Sequence, residues 1–165
     1  GLCLGLPFAG VVSGIAEFGG VQRRMQFRGL ERGVTVIEDY AHHPTEIAST
    51  LAAVRQLNPK RIMCVFQPHL YSRTKYLYED FARVLSTASS AIVSDIYASR
   101  EEPIDGVTSN LIVDAGNGKL EYVGDMHAIP SMLAPRLQSG DIVLILGAGN
   151  INRIAVPLLE ALRGA

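Results

Sequence analysis

Short apolar runs alternate with longer stretches of helical periodicity over most of the chain, the pattern of a layered α/β domain. Arg61–Phe66 and Asp141–Leu146 contain the unbroken runs IMCVF and IVLIL. Apolar side chains on successive positions point to both faces of a strand, so both faces must be covered, as in a parallel sheet. The other expected strands are Met25–Arg28, Val34–Glu38, Ala91–Ser94 and Leu120–Val123, the first two joined as a hairpin across Gly29–Gly33. After Pro44, which presets a first-turn φ, Ile47, Leu51 and Val54 fall on one helical face, and Glu46 suits the positive end. That helix should stop near Asn58-Pro59. Further helices are expected over Lys75–Leu85, Ser109–Asp114, His127–Leu137 and Ile151–Leu162. The fold class is α/β: a Rossmann-like three-layer domain with a mostly parallel six-stranded sheet and helices on both faces.

The opening stretch behaves differently. Residues 1–20 are apolar without a strand of their own, so they are expected to be the tail of a preceding domain or a junction. Residues 21–165 are expected to form the α/β unit. The chain of 165 residues carries 15 basic against 16 acidic side chains and no Trp. A net charge of −1 gives no field with which to displace counterions, and this excludes a general nucleic-acid binder. No apolar run approaches the roughly 20 residues of a membrane span, and Cys3 and Cys64 are too few for a disulfide scaffold. A cytoplasmic protein with reduced thiols is expected.

In a parallel sheet the carboxyl ends of the strands share one edge, where ligands of open α/β domains bind. Polar residues collect at that edge: Asp39-Tyr40-Ala41-His42-His43 after the second strand, Gln67-Pro68-His69-Leu70-Tyr71-Ser72-Arg73 after the third, Asp95-Ile96-Tyr97 after the fourth, and Gly147-Ala148-Gly149-Asn150 after the last. A zinc site from His42, His43 and His69 is disfavoured. Adjacent histidines point apart, and neither an HExxH motif nor a Cys or Glu at ligand spacing accompanies them. The GAGN turn has Asn152 in place of the third glycine of a dinucleotide fingerprint, and a tight strand-to-helix turn accounts for it equally well. Arg23, Arg24, Arg28 and Arg32 form a basic cluster that fits either a solvated face or a phosphate contact.

The residues DYAHHPTEI, Asp39–Ile47, resemble the first crossover loop in the C-terminal domain of the Mur ligases, ATP-dependent amide-forming enzymes of peptidoglycan precursor synthesis. FGGVQRRM at Phe18–Met25 looks like that family's inter-domain junction, and EEPIDGV and GAGNI look like its later loops. The likeness runs from about Gly14 to the end. FQPHLYSRT at Phe66–Thr74 is similar to the signature of the branch that joins L-alanine to UDP-N-acetylmuramate; a murein-peptide recycling branch shares the first motif but usually not the second. Leu70 stands where these ligases often carry Arg, Glu38 where Asp is common, and Asn152 where Gly is usual.

The resemblance implies ATP-driven phosphorylation of a substrate carboxylate, attack of an amine on the acyl phosphate, and loss of phosphate from a tetrahedral intermediate. Such chemistry needs fixed cations and an acid or base for the amine's proton. On family grounds Arg24, Asp39 and Tyr40 would meet the nucleotide, Arg73 and Tyr71 the L-alanine, and His42 and His69 would be catalytic; no metal ligand is expected in this chain. ATP and Mg2+ would serve the full-length enzyme. No G-x-x-x-x-G-K-[ST] loop is present, so the phosphate cradle and Mg2+ ligands are expected in a central domain of the same polypeptide, and UDP-N-acetylmuramate would be held by an N-terminal one. The chain alone is expected to fold without catalysing. Two other readings compete: a stand-alone nucleotide-binding module built on the GAGN turn, and a structural interaction domain, which predicts that Asp39, His42, His69 and Arg73 are scattered.

Overall fold

The computed structural model describes residues 2–18 and 20–164. Gly19 of the expected junction, and Gly1 and Ala165 at the outer ends of the two expected segments, lie outside the described residues.

Six strands form one sheet: β1 Gln26–Glu31, β2 Val34–Asp39, β3 Arg61–Phe66, β4 Ser90–Val93, β5 Leu120–Tyr122 and β6 Asp141–Leu146. Their order is β1-β2-β6-β3-β4-β5. β1 pairs antiparallel with β2, and every other pairing is parallel. The two unbroken apolar runs occupy β3 and the adjacent β6, where both faces are buried. Helices α2 Pro44–Arg55, α3 Tyr71–Leu85 and α4 Asn110–Ala115 cover one face, through Ile47, Leu51, Phe81, Leu85 and Ile112. α5 Ile129–Leu133 and α6 Ala155–Gly164 cover the other, through Ile129, Leu133, Leu158 and Leu162. Removing each such side chain from water contributes roughly 1.5–3 kcal/mol, so the two apolar layers dominate the stability. The expected three-layer architecture is therefore present.

Several local expectations change, among them the helix expected over Ile151–Leu162, which opens as a 3-10 turn at Ile151–Ile154 and becomes α6 at Ala155. β1 continues three residues beyond Arg28, and the hairpin turns at Arg32 and Gly33 alone, with φ of 51° and 76°. Positive φ at both central residues is what a two-residue hairpin loop of type I′ demands. A bulge sits between Phe27 and Gly29, and the absent side chain of Gly29 makes room for Leu159 of α6. α3 begins at Tyr71 rather than Lys75, for a long-range reason given below. The expected helix over His127–Leu137 is broken into two 3-10 turns around the five-residue α5, with Pro130 and Pro135 withholding backbone N–H groups. Residues Phe8–Glu17 form a helix, α1, that buries none of its side chains.

Candidate functional site

β6 lies between β2 and β3, yet β2 and β3 lead into helices on one face and β6 into α6 on the other. The chain diverges at this point and opens a crevice at the carboxyl ends of the three strands. Their following loops form its walls.

The wall after β2 is tied down by two buried carboxylates. Asp39, 5% exposed, accepts the Met25 N–H at Oδ2 and the Ala41 N–H at Oδ1, both at 2.8 Å. Glu38, 1% exposed, faces Arg28 Nη1 at 2.9 Å and Arg23 Nε at 2.9 Å; the Arg23 contact is one of charge, with the N–H not aligned on the oxygen. Arg23 Nη2 then donates to the carbonyls of Gly147, at 2.5 Å, and Gly149, at 3.0 Å. Arg23 thus latches the start of the domain to the GAGN turn, and Arg23 and Arg28 are spent internally. Arg24 is exposed, has no carboxylate within ion-pair distance among the described residues, and sits 5.6 Å over the Tyr40 ring.

The GAGN turn is shaped by the protein's own packing. Gly147 takes a φ of 148°, and a methyl group on Gly149 would stand 2.5 Å from Tyr97 Cγ. Gln67 spans the turn, donating to Asn150 Oδ1 at 2.9 Å and accepting the Ile151 N–H at 3.1 Å. These contacts give both glycines a structural purpose.

His42 and His43 part company, as adjacent residues do. His43 caps α2: its Nδ1 accepts the Thr45 N–H, while Glu46 accepts the His43 N–H, a reciprocal capping box. His42 turns into the crevice with Nδ1 2.9 Å from the Tyr40 carbonyl and 3.4 Å from Glu46 Oε2; that oxygen also accepts the His42 N–H. Burial pushes the Glu46 carboxyl up, but the N–H groups of His42 and His43 and the nearby cations outweigh it, so its pKa lies below the usual range.

The wall after β3 begins with a bridge between His69 and Tyr97, whose rings stack 5.8 Å apart at 15°. Leu70 follows at φ 74°, an uncommon conformation for a branched side chain, held by its N–H to the Tyr97 carbonyl at 3.0 Å. Leu70 offers α3 no side-chain cap. Glu101, from the loop after β4, takes that place by accepting both the Ser72 N–H, at 2.9 Å, and the Ser72 hydroxyl. This remote cap starts α3 at Tyr71 and brings Arg73 Nη1 within 3.2 Å of His69 Nδ1. The His42 and His69 rings stand edge to face, 5.8 Å apart. Burial, then the Arg73 and His42 charges, pull the His69 pKa below that of a free imidazole.

Arg73 is half-buried and has no carboxylate within 4 Å among the described residues. A half-buried guanidinium without a counterion is suited to an incoming carboxylate. The crevice therefore joins Tyr40, His42, His69 and Arg73 in one contact chain, with Asp39 beneath it and Arg24 at its rim. Tyr71 is not brought in: it lines a different hollow with Asp95, Ile96, Thr108 and Ser109. Three contributors went unassigned in the sequence. Glu46 was legible only as a residue suited to the positive end of α2, Tyr97 as a member of an edge loop, and Glu101 only as part of EEPIDGV. No three His, Cys, Asp or Glu side chains converge as a metal ion would need among the described residues.

Residues 23–149 match the family model of the Mur ligase, glutamate ligase domain. The UDP-N-acetylmuramate:L-alanine ligase of Desulfotalea psychrophila is 44% identical over 98% of the chain and 36% of its own length. That of Solibacter usitatus is 46% identical over 90% of the chain and 32% of its own length. The chain thus spans about a third of the curated relatives it matches. The solved UDP-N-acetylmuramate-alanine ligase of Thermotoga maritima superposes with a TM-score of 0.80 at 24% identity, over 98% of the chain and 35% of that structure. The murein peptide ligase of Psychrobacter arcticus gives a TM-score of 0.71 at 24% identity, over 93% of the chain and 32% of that structure.

Proposed function

The chain belongs to the family of Mur ligase, glutamate ligase domains, and on that premise we propose that it is the amino-acid-presenting domain of a UDP-N-acetylmuramate:L-alanine ligase acting in the cytoplasm. The observation that carries the reading is Arg73, half-buried, free of carboxylates among the described residues, and braced against His69. Its guanidinium holds the carboxylate of the amino acid. The amine then lies toward the two imidazoles and faces an acyl phosphate made on the partner substrate. The relatives' own names supply L-alanine and UDP-N-acetylmuramate as the reactants.

ATP supplies the phosphoryl group that activates the substrate carboxylate, with Mg2+ held by residues of another domain. In this chain the exposed Arg24 and the Tyr40 ring it overlies fit the rim of a nucleotide site. Asp39 fits less simply. Each of its oxygens already accepts a backbone N–H, leaving a ribose hydroxyl a second lone pair. The domain boundary near residue 20 belongs to the same proposal, with α1 as part of the preceding domain or junction.

The test is kinetic, in the ligase polypeptide that contains this chain. Arg73→Ala should raise KM for L-alanine by ten- to a hundredfold, the worth of about one charge-assisted hydrogen bond or a bidentate pair, with KM for ATP nearly unchanged. Unchanged alanine kinetics would remove Arg73 from the site.

A further inference from the structure

The hydrogen bonds of the two crevice imidazoles assign them different protons. His42 Nδ1 lies 2.9 Å from the Tyr40 carbonyl oxygen, which can only accept, so the neutral ring carries its proton on Nδ1. Glu46 Oε2, 3.4 Å from the same nitrogen, favours that tautomer. The remaining nitrogen, Nε2, has a lone pair, no hydrogen bond among the described residues, and is not sealed from solvent. His69 is the reverse case. Its Nδ1 faces Arg73 Nη1 at 3.2 Å, and a guanidinium can only donate, so Nδ1 holds the lone pair and Nε2 carries the proton. Two histidines of the same crevice, with rings 5.8 Å apart, thus present opposite functions: one open acceptor and one open donor.

Resting on the ligase reading above, we propose that His42 Nε2 is the proton acceptor for the attacking amine, that Glu46 is its positioning residue, and that His69 is a hydrogen-bond donor rather than a second base. The amine nitrogen pair forms the C–N bond to the acyl phosphate carbon while the C=O pair moves onto oxygen. The nitrogen's proton passes to His42 Nε2. Collapse of the tetrahedral oxyanion then breaks the C–O bond to phosphate, which leaves with that bonding pair. His69 Nε2–H remains bonded throughout and steadies a neighbouring anionic oxygen. The spacing His42 to Glu46 is one helical turn across the start of α2, so one carboxylate both caps the helix and supports the tautomer that the Tyr40 carbonyl sets.

Two measurements test the proposal. Nitrogen-15 correlation spectra of this chain at about pH 8, where imidazoles are mostly neutral, should show His42 protonated at Nδ1 and His69 at Nε2; the reverse pattern overturns the assignment. In the ligase polypeptide, His42→Gln should lower kcat by about 10²–10⁴-fold, the range for a lost general base. His69→Gln, which keeps an N–H donor, should stay within about tenfold of the parent. Glu46→Gln should lower kcat with KM for the amino acid unchanged, while the His42 spectrum of that variant still shows the Nδ1 proton that the Tyr40 carbonyl holds. A kcat loss in His69→Gln that equals or exceeds the loss in His42→Gln overturns the division of roles. A polypeptide that forms no amide with any amino acid overturns the ligase reading and the base role with it, while the tautomers, measured without substrate, report separately on the geometry.

Discussion

Arg23 joins the domain's first turn to its last strand, and replacing it with Ala measures what that latch contributes. The substitution deletes three hydrogen bonds, to the carbonyls of Gly147, Ala148 and Gly149, the one to Ala148 long at 3.5 Å, and one of the two cations at Glu38. Glu38 is 1% exposed, so losing all compensation would cost about 3–5 kcal/mol. Arg28 remains at 2.9 Å, however, and Arg23 is itself 23% exposed, so water enters where its head group was. The expected destabilisation is therefore roughly 2 kcal/mol, the size of one charge-assisted hydrogen bond. For a domain of this length that corresponds to a fall in Tm of about 4–8 °C. Urea and thermal unfolding followed by circular dichroism read both quantities. The cause is isolated by a double-mutant cycle: with Glu38→Gln already in place, Arg23→Ala should cost about 1 kcal/mol less than in the parent chain. A cost below about 0.5 kcal/mol in the parent, or zero coupling to position 38, would refute the argument that the latch works through the buried carboxylate.

Three other outcomes are expected. Asp141 is 1% exposed; burial raises its pKa, but hydrogen bonds from Arg61 and the Gln138 N–H outweigh this and leave it below the ordinary value. A depressed folded-state carboxyl stabilises above its unfolded pKa, near 3.9, and loses that contribution as pH falls through the folded value; Asp141→Asn should lower Tm at neutral pH and flatten its decline below about pH 4, as a pH series of melts would show. Leu144, wholly buried in the central strand, should cost about 2–5 kcal/mol when replaced by Ala, measured by urea unfolding. Cys64 is buried and its thiol is pushed up to about 12, whereas Cys3 is exposed, so a thiol reagent should titrate one group in the native chain and two in denaturant.

β3 and β6 end where their apolar runs do and begin one residue before them, at the paired Arg61 and Asp141, because a strand buried on both faces is apolar along its interior. α2 was also legible, since Pro44, Glu46 at its positive end and the apolar face all lie within one short stretch. The motif at Asp39–Ile47 and the one at Phe66–Thr74 also pointed to the crevice and to a ligase family from local order alone. What they left open was decided by groups far away in the chain. Glu101 starts α3 four residues early from 29 positions beyond Ser72. Arg23 and Arg24 are neighbours of the same type, yet one is latched to the GAGN turn 124 residues away and the other stays open at the rim. The tautomers of His42 and His69 depend on which acceptor or donor reaches each Nδ1. Periodicity and capping are short-range and are written in consecutive residues. A side chain's partner across the sheet depends on strand order, and that order exists only once the two apolar layers have closed over β3 and β6.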